Sequence, residues 1–182
     1  MRSLRLILVA AAVTFLAHAA QSEEAQTADA GSSAATVQGA RIGISGYPVP
    51  RFASLKTNQV NLREGPGLDT PIRWTYVRED LPVEIIAEHE HWRRVRDFEG
   101  TTGWVHRQML SLTRTGYVMG KEAAPIREKP DDSSVIVAYA SPGVIGRVRA
   151  CDGTHCLFSV RGYTGYIPQS DLFGVYANET FE

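Results

Sequence analysis

The chain has 182 residues, 43% of them hydrophobic and 21% charged, with a net charge of −1. This is material for one ordinary domain or two very small ones, and the balance excludes the strongly basic character of a dedicated nucleic-acid binder.

The first twenty residues set Arg2 and Arg5 ahead of an apolar run from Leu6 to Ala17, followed by Ala17-His18-Ala19. That order is the pattern of a secretory signal peptide over residues 1–20, cleaved after Ala19 or Ala20. The run is short for a bilayer span, with an uncleaved anchor as the alternative. No cysteine stands near the cleavage site, so a lipid anchor is not expected. The expected mature protein is periplasmic or secreted, without stable membrane insertion. Losing Arg2 and Arg5 leaves 17 basic residues against 20 acidic ones, a net charge of −3. Residues 21–47 are read as a flexible linker. Up to about Ala40 they are small and polar and cannot bury enough surface to offset their ordering entropy, and "GYPVPRF", from Gly46, is a proline-stiffened lead into the folded part of the chain.

Beyond the linker, short apolar or alternating runs are punctuated by Gly, Pro, Asp and Asn, and no window sustains a helical period over three turns. The fold class is therefore all-β. Strands are predicted at residues 54–63, 75–78, 81–90, 91–97 and 102–110, then at 124–127, 134–140, 143–153, 155–162 and 163–174.

The order repeats. "VNLREGPGLDTP", from Val60, and "APIREKPDDSSV", from Ala124, stand 64 residues apart, while Gly103-Trp104-Val105 answers Gly165-Tyr166-Ile167 and Leu110 answers Leu172 at an offset of 62. The drift places Trp92 opposite Leu157. Two copies of one small β module are expected, over residues 48–115 and 116–178. In each, an alternating strand end runs into a turn built on glycine or proline.

"VNLREGPG", then "WRRVR", then "GTTGWVHRQML" resemble the bacterial SH3-like (SH3b) domain, and "PVPRFASLK" with a Cys-x4-Cys hairpin in the second copy resembles a secreted alphaproteobacterial family of tandem SH3-like proteins. The resemblance spans Pro48 to about Tyr176. It implies two tandem small SH3-like β-barrels of five or six strands, serving recognition and not catalysis, with peptidoglycan or an envelope protein or peptide as the implied partner. The second copy departs where Gly65 becomes Lys129 and Trp104 becomes Tyr166.

Cys151 and Cys156 flank Asp152-Gly153, an Asp-Gly turn that makes antiparallel arms and can set the two sulfurs opposite each other. An even cysteine count in an exported chain reads first as a disulfide, with a metal site including His155 as the alternative. His89 and His91 either share a strand face as half of a metal or pH-sensing site or occupy a hairpin tip. No cofactor motif and no catalytic constellation is present. The ligand-binding candidates are Trp74, Tyr76, Trp92, Arg94 and Arg96. The tryptophans would supply stacking in an exposed groove and the arginines guanidinium forks for a carboxylate, unless the latter merely pair with Glu84 and Glu88. Trp104 is expected in the core or at its edge. The remaining readings are an adaptor that recruits an envelope protein and, with less support, an envelope hydrolase.

Overall fold

The computed structural model describes residues 39–182, so the signal peptide and most of the linker lie outside the described residues. The described residues open with a hairpin of β1 (Arg41–Ile42) and β2 (Pro48–Val49). The linker expected to reach residue 47 thus gives way at Arg41, because the Gly43 N–H donates to the Tyr47 carbonyl at 2.8 Å and Ser45 is tied to Glu88.

Fifteen further strands follow among the described residues. β3 (Arg51–Leu55), β4 (Val60–Arg63), β5 (Ile72–Tyr76), β6 (Pro82–His89), β7 (Trp92–Arg96), β8 (Thr102–His106) and β9 (Leu110–Ser111) form one antiparallel sheet in the order β5-β4-β8-β7-β6-β3-β9. β10 (Thr115–Val118), β11 (Ala124–Arg127), β12 (Ile136–Ala140), β13 (Ile145–Asp152), β14 (His155–Val160), β15 (Tyr163–Pro168) and β16 (Leu172–Phe173) form a second in the order β12-β11-β15-β14-β13-β10-β16, and β17 (Thr180–Phe181) adds to β13. Strand for strand the two orders are the same. The chain is all-β, with two tandem barrel-like sheets, as the repeat implies. The single strand expected over 54–63 is two strands joined at residues 56–59, and β10 and β17 had no counterpart in the sequence reading.

Each sheet curls around its own core, because its strands alternate apolar and polar residues and one face must leave water. Leu55, Val60, Leu62, Val83, Ile85, Val95 and Val105 fill the first core; Val118, Ile126, Val148, Phe158 and Ile167 fill the second. Cores this small are marginal alone. The two are packed together. Phe52 of β3 meets Phe173 edge-on at 5.2 Å and Tyr176 at 4.7 Å, Phe98 stacks on Tyr117 at 4.0 Å, and the Thr115 hydroxyl donates to the Asp80 carbonyl at 2.7 Å. Gly174, at φ +121°, lies where a Cβ would strike the Thr115 carbonyl and crowd Pro82, so only glycine fits this contact.

The β6–β7 and β13–β14 hairpins carry the same bulge, after Ile85 in one and after Val148 in the other. Counting registers from it, Val95 corresponds to Phe158, Arg94 to Leu157 and Trp92 to His155. The expected match of Trp92 to Leu157 is therefore corrected. The offset in this hairpin is 63, and only the next turn brings it to 62.

Candidate functional site

β5 is an edge strand, bonded on one side only, to β4. Its pairings, Val60 with Tyr76 and Leu62 with Trp74, direct both aromatic rings toward the core side of the sheet. Tyr76 lies over the buried core and is 6% exposed, whereas Trp74 sits where the strand overhangs the core and is 59% exposed. Together they border a cavity of about 350 Å³, completed by Leu81, Phe98, Arg78 and Tyr117. Tyr117 belongs to β10, so the second module furnishes part of the first module's groove.

The groove floor is held in place by hydrogen bonds. Tyr76 donates its hydroxyl to Asp97 Oδ2 at 2.8 Å, while Asp97 Oδ1 accepts the Glu99 and Thr101 N–H groups at 3.0 and 2.8 Å. Burial first, then the hydrogen bond to Asp97 and its charge, push the Tyr76 hydroxyl well above the usual phenol range, so it stays a neutral donor. The result is a slot walled in part by the Tyr76, Phe98 and Tyr117 rings, with the exposed Trp74 indole at its mouth. Such a slot suits an apolar or planar ligand group.

The five candidates do not converge. Trp74 and Tyr76 share the groove. Trp92 does not present an exposed ring. It does alternate with Arg94 and Arg96 away from Val95, but it pairs with His89 on one side and His106 on the other, packs edge-on against the His106 ring at 5.4 Å, and is only 8% exposed. Arg94 stands on the outer wall opposite Trp104, where the two line a separate depression of about 380 Å³ with Glu64 and Arg73. Arg96 binds Glu84, its Nε donating to Oε2 at 2.9 Å. Neither tryptophan stands as expected: Trp92 is buried and lines no exposed groove, and Trp104 is half-buried on the outer face while Gly103 and Val105 turn inward.

The sequence reading missed Phe98, Leu81, Arg78 and Tyr117. Phe98 and Arg78 lie in connections, two residues past the ends of β7 and β5, and Tyr117 arrives from a strand that had not been expected. Also missed was a buried ionic cluster. Glu88 Oε1 accepts from Arg51 Nη2 at 2.8 Å and pairs with Arg93 Nε at 3.1 Å, and its carboxylate also accepts the Ser45 hydroxyl at 2.7 Å and the Ser45 N–H at 2.9 Å. Burial opposes ionisation of Glu88, yet the bonds from Ser45 and Arg51 and the Arg51 charge outweigh it and lower the carboxyl to about 2.

A second groove, of about 400 Å³, occupies the equivalent place in the second module. Ala138 pairs with Ile126 and Ala140 with Ala124, so alanines stand where the first module has Trp74 and Tyr76, and Tyr139 and Tyr163 are exposed at its border. Cys151 and Cys156 are opposite in register and joined by a disulfide, with Cα atoms 4.1 Å apart. His89 and His91 flank the β6–β7 turn, where Glu90 takes φ +46°, and among the described residues no group of three or more His, Cys, Asp or Glu is placed to hold a metal. No helix among the described residues is long and apolar enough to cross a membrane.

The sequence profile of the bacterial SH3 domain matches the chain twice, over residues 56–111 and 120–174, together more than half its length. Bacterial SH3 domains are cell-wall binding modules, typically without catalytic activity, in proteins that are generally extracytoplasmic. No curated protein matches. Among solved structures, similar chains include NlpC2 of Trichomonas vaginalis, at 24% identity over 70% of this chain and 49% of that one with a TM-score of 0.32. NlpC1 of the same organism is 25% identical over 69% and 46%, with a TM-score of 0.32. An NlpC/P60 family protein from Bacillus cereus ATCC 10987 is 11% identical over 69% and 57%, with a TM-score of 0.31. The chain spans about half the length of these structures.

Proposed function

The chain belongs to the bacterial SH3 domain family, and from that premise we propose that it is an exported, non-catalytic binding protein that recognises peptidoglycan, through the wall peptide, in the groove of its first module. The observation that carries this reading is Trp74, 59% exposed at the mouth of a groove that the buried Tyr76 and the half-buried Phe98 and Tyr117 also line. An exposed indole beside a concave site is placed to stack on a bound ligand, and aromatic anchors of this kind dominate the energetics of binding sites. The disulfide supports export, because such bonds persist in oxidising compartments.

The test is co-sedimentation of the oxidised chain, residues 21–182, with purified sacculi at low and at physiological salt. Salt-resistant binding that Trp74→Ala reduces at least ten-fold is the expected result. Binding that vanishes with salt, or survives Trp74→Ala unchanged, overturns the groove as the wall-binding site. No sedimentation at all would leave recruitment of an envelope protein as the function. Trp92 is unsuited to this test, since removing a buried ring disturbs the hairpin itself.

A further inference from the structure

Three cavities adjoin one another through shared border residues. Arg78 lines both the first module's groove and the cleft between modules, and Val160 and Arg161 line both that cleft and the second module's groove. The cleft, about 380 Å³, is bordered by Arg78, Arg147 and Arg161 together with Glu79 and Asp80. Among the described residues none of these three arginines forms an ion pair. Arg78 donates to the Gly143 carbonyl at 2.6 Å and lies 5.9 Å from the centroid of Tyr117, which fixes it across the module boundary. The guanidinium donors of Arg147 and Arg161 remain open to an outside carboxylate, in the fork geometry that suits one.

We propose that the two modules bind one extended, carboxylate-bearing peptide across these adjoining cavities. An apolar part of the peptide rests on Trp74 in the first groove, its carboxylate is held by Arg147 and Arg161 in the cleft, and its far end lies along Ala138 and Ala140 in the second groove. This rests on the first groove being the wall-binding site and adds the cleft and the second module to it. Three guanidiniums against two carboxylates favour an anionic peptide over a neutral glycan at the cleft. The tight packing of Phe52 on Phe173 and Tyr176 keeps the grooves in fixed relation, so a ligand that spans them loses little to ordering the protein.

The experiment is calorimetric titration of the chain, residues 21–182, with a soluble muropeptide prepared from sacculi, used both as the free acid and after conversion of its carboxyls to amides. The wild type is expected to bind the acid at least ten-fold more tightly than the amide. Arg147→Gln with Arg161→Gln, folded by circular dichroism, should lose that preference, and Lys121→Gln, at an exposed turn, should keep it. If the wild type binds both forms equally, or the double variant keeps the preference, the spanning site is overturned, and Trp74-dependent sedimentation with sacculi decides separately whether the first groove stands. If neither form binds and nothing sediments, both readings fall.

Discussion

Glu88 and Arg93 face each other across β6 and β7 at the register that Cys151 and Cys156 occupy across β13 and β14. The members of both pairs are five positions apart in sequence, and both pairs sit one step beyond the same bulge. One hairpin is closed by a buried ion pair and the other by a covalent bond. The ion pair draws in additional partners, Arg51 and Ser45, and the β1–β2 hairpin covers it, with Gly43 so close that a Cβ would lie 2.8 Å from the Glu88 carboxyl carbon. In the second hairpin the strand added beside Cys151 is β17.

Glu88→Ala removes the carboxylate between two guanidiniums whose side chains are only 15% and 6% exposed. The expected loss is about 3–5 kcal/mol, because two buried positive charges are left facing each other. Urea unfolding of the variant at neutral pH measures it. A loss below about 1 kcal/mol would mean that the cluster is not a unit.

The same carboxyl sets an acid limit. Its folded value is lowered to about 2 from an ordinary 4.5, so its contribution is complete above pH 4.5 and is lost as pH falls toward 2. Chemical denaturation from pH 7 to 2 should show stability falling most across that lower window, and Glu88→Gln should flatten that part of the curve.

Cys151→Ser with Cys156→Ser opens a short loop, worth about 2 kcal/mol or less by loop entropy. Thermal unfolding should reveal that loss. Sedimentation with sacculi at 25 °C should be unaffected, because the disulfide lies outside the first groove.

Tyr117→Ala changes a residue of the second module and should weaken wall binding by the first. Its ring stacks on Phe98 at 4.0 Å and closes one side of the cavity beside Trp74. A several-fold loss in sedimentation, with the cooperative unfolding transition retained, is the expected outcome.

The repeat was legible because the turns that close a small barrel need glycine or proline at set places, and Arg63-Glu64 and Arg127-Glu128 enter those turns in the same way. The face of Trp92 was legible too, since alternation along a strand is strict, but its burial was not, because His106 comes from another strand. Tyr117 and Phe98 are nineteen residues apart and meet only when the modules pack, a contact that no local pattern encodes. The correspondence of Glu88-Arg93 with Cys151-Cys156 was present as equal spacing, but the mistaken match of Trp92 to Leu157 concealed it.

The junction at Phe52, Phe173 and Tyr176 also bears on how such a protein can change. Tyr176 reaches back to donate to Glu84 at 3.2 Å, and Arg78 reaches forward to Gly143. A cut after β9 would therefore yield no self-sufficient half, only a fragment with an open aromatic face and a groove lacking one wall. Although the two copies read as duplicates, each borrows part of its surface from the other, and transplanting either alone would mean rebuilding the face that its twin now provides.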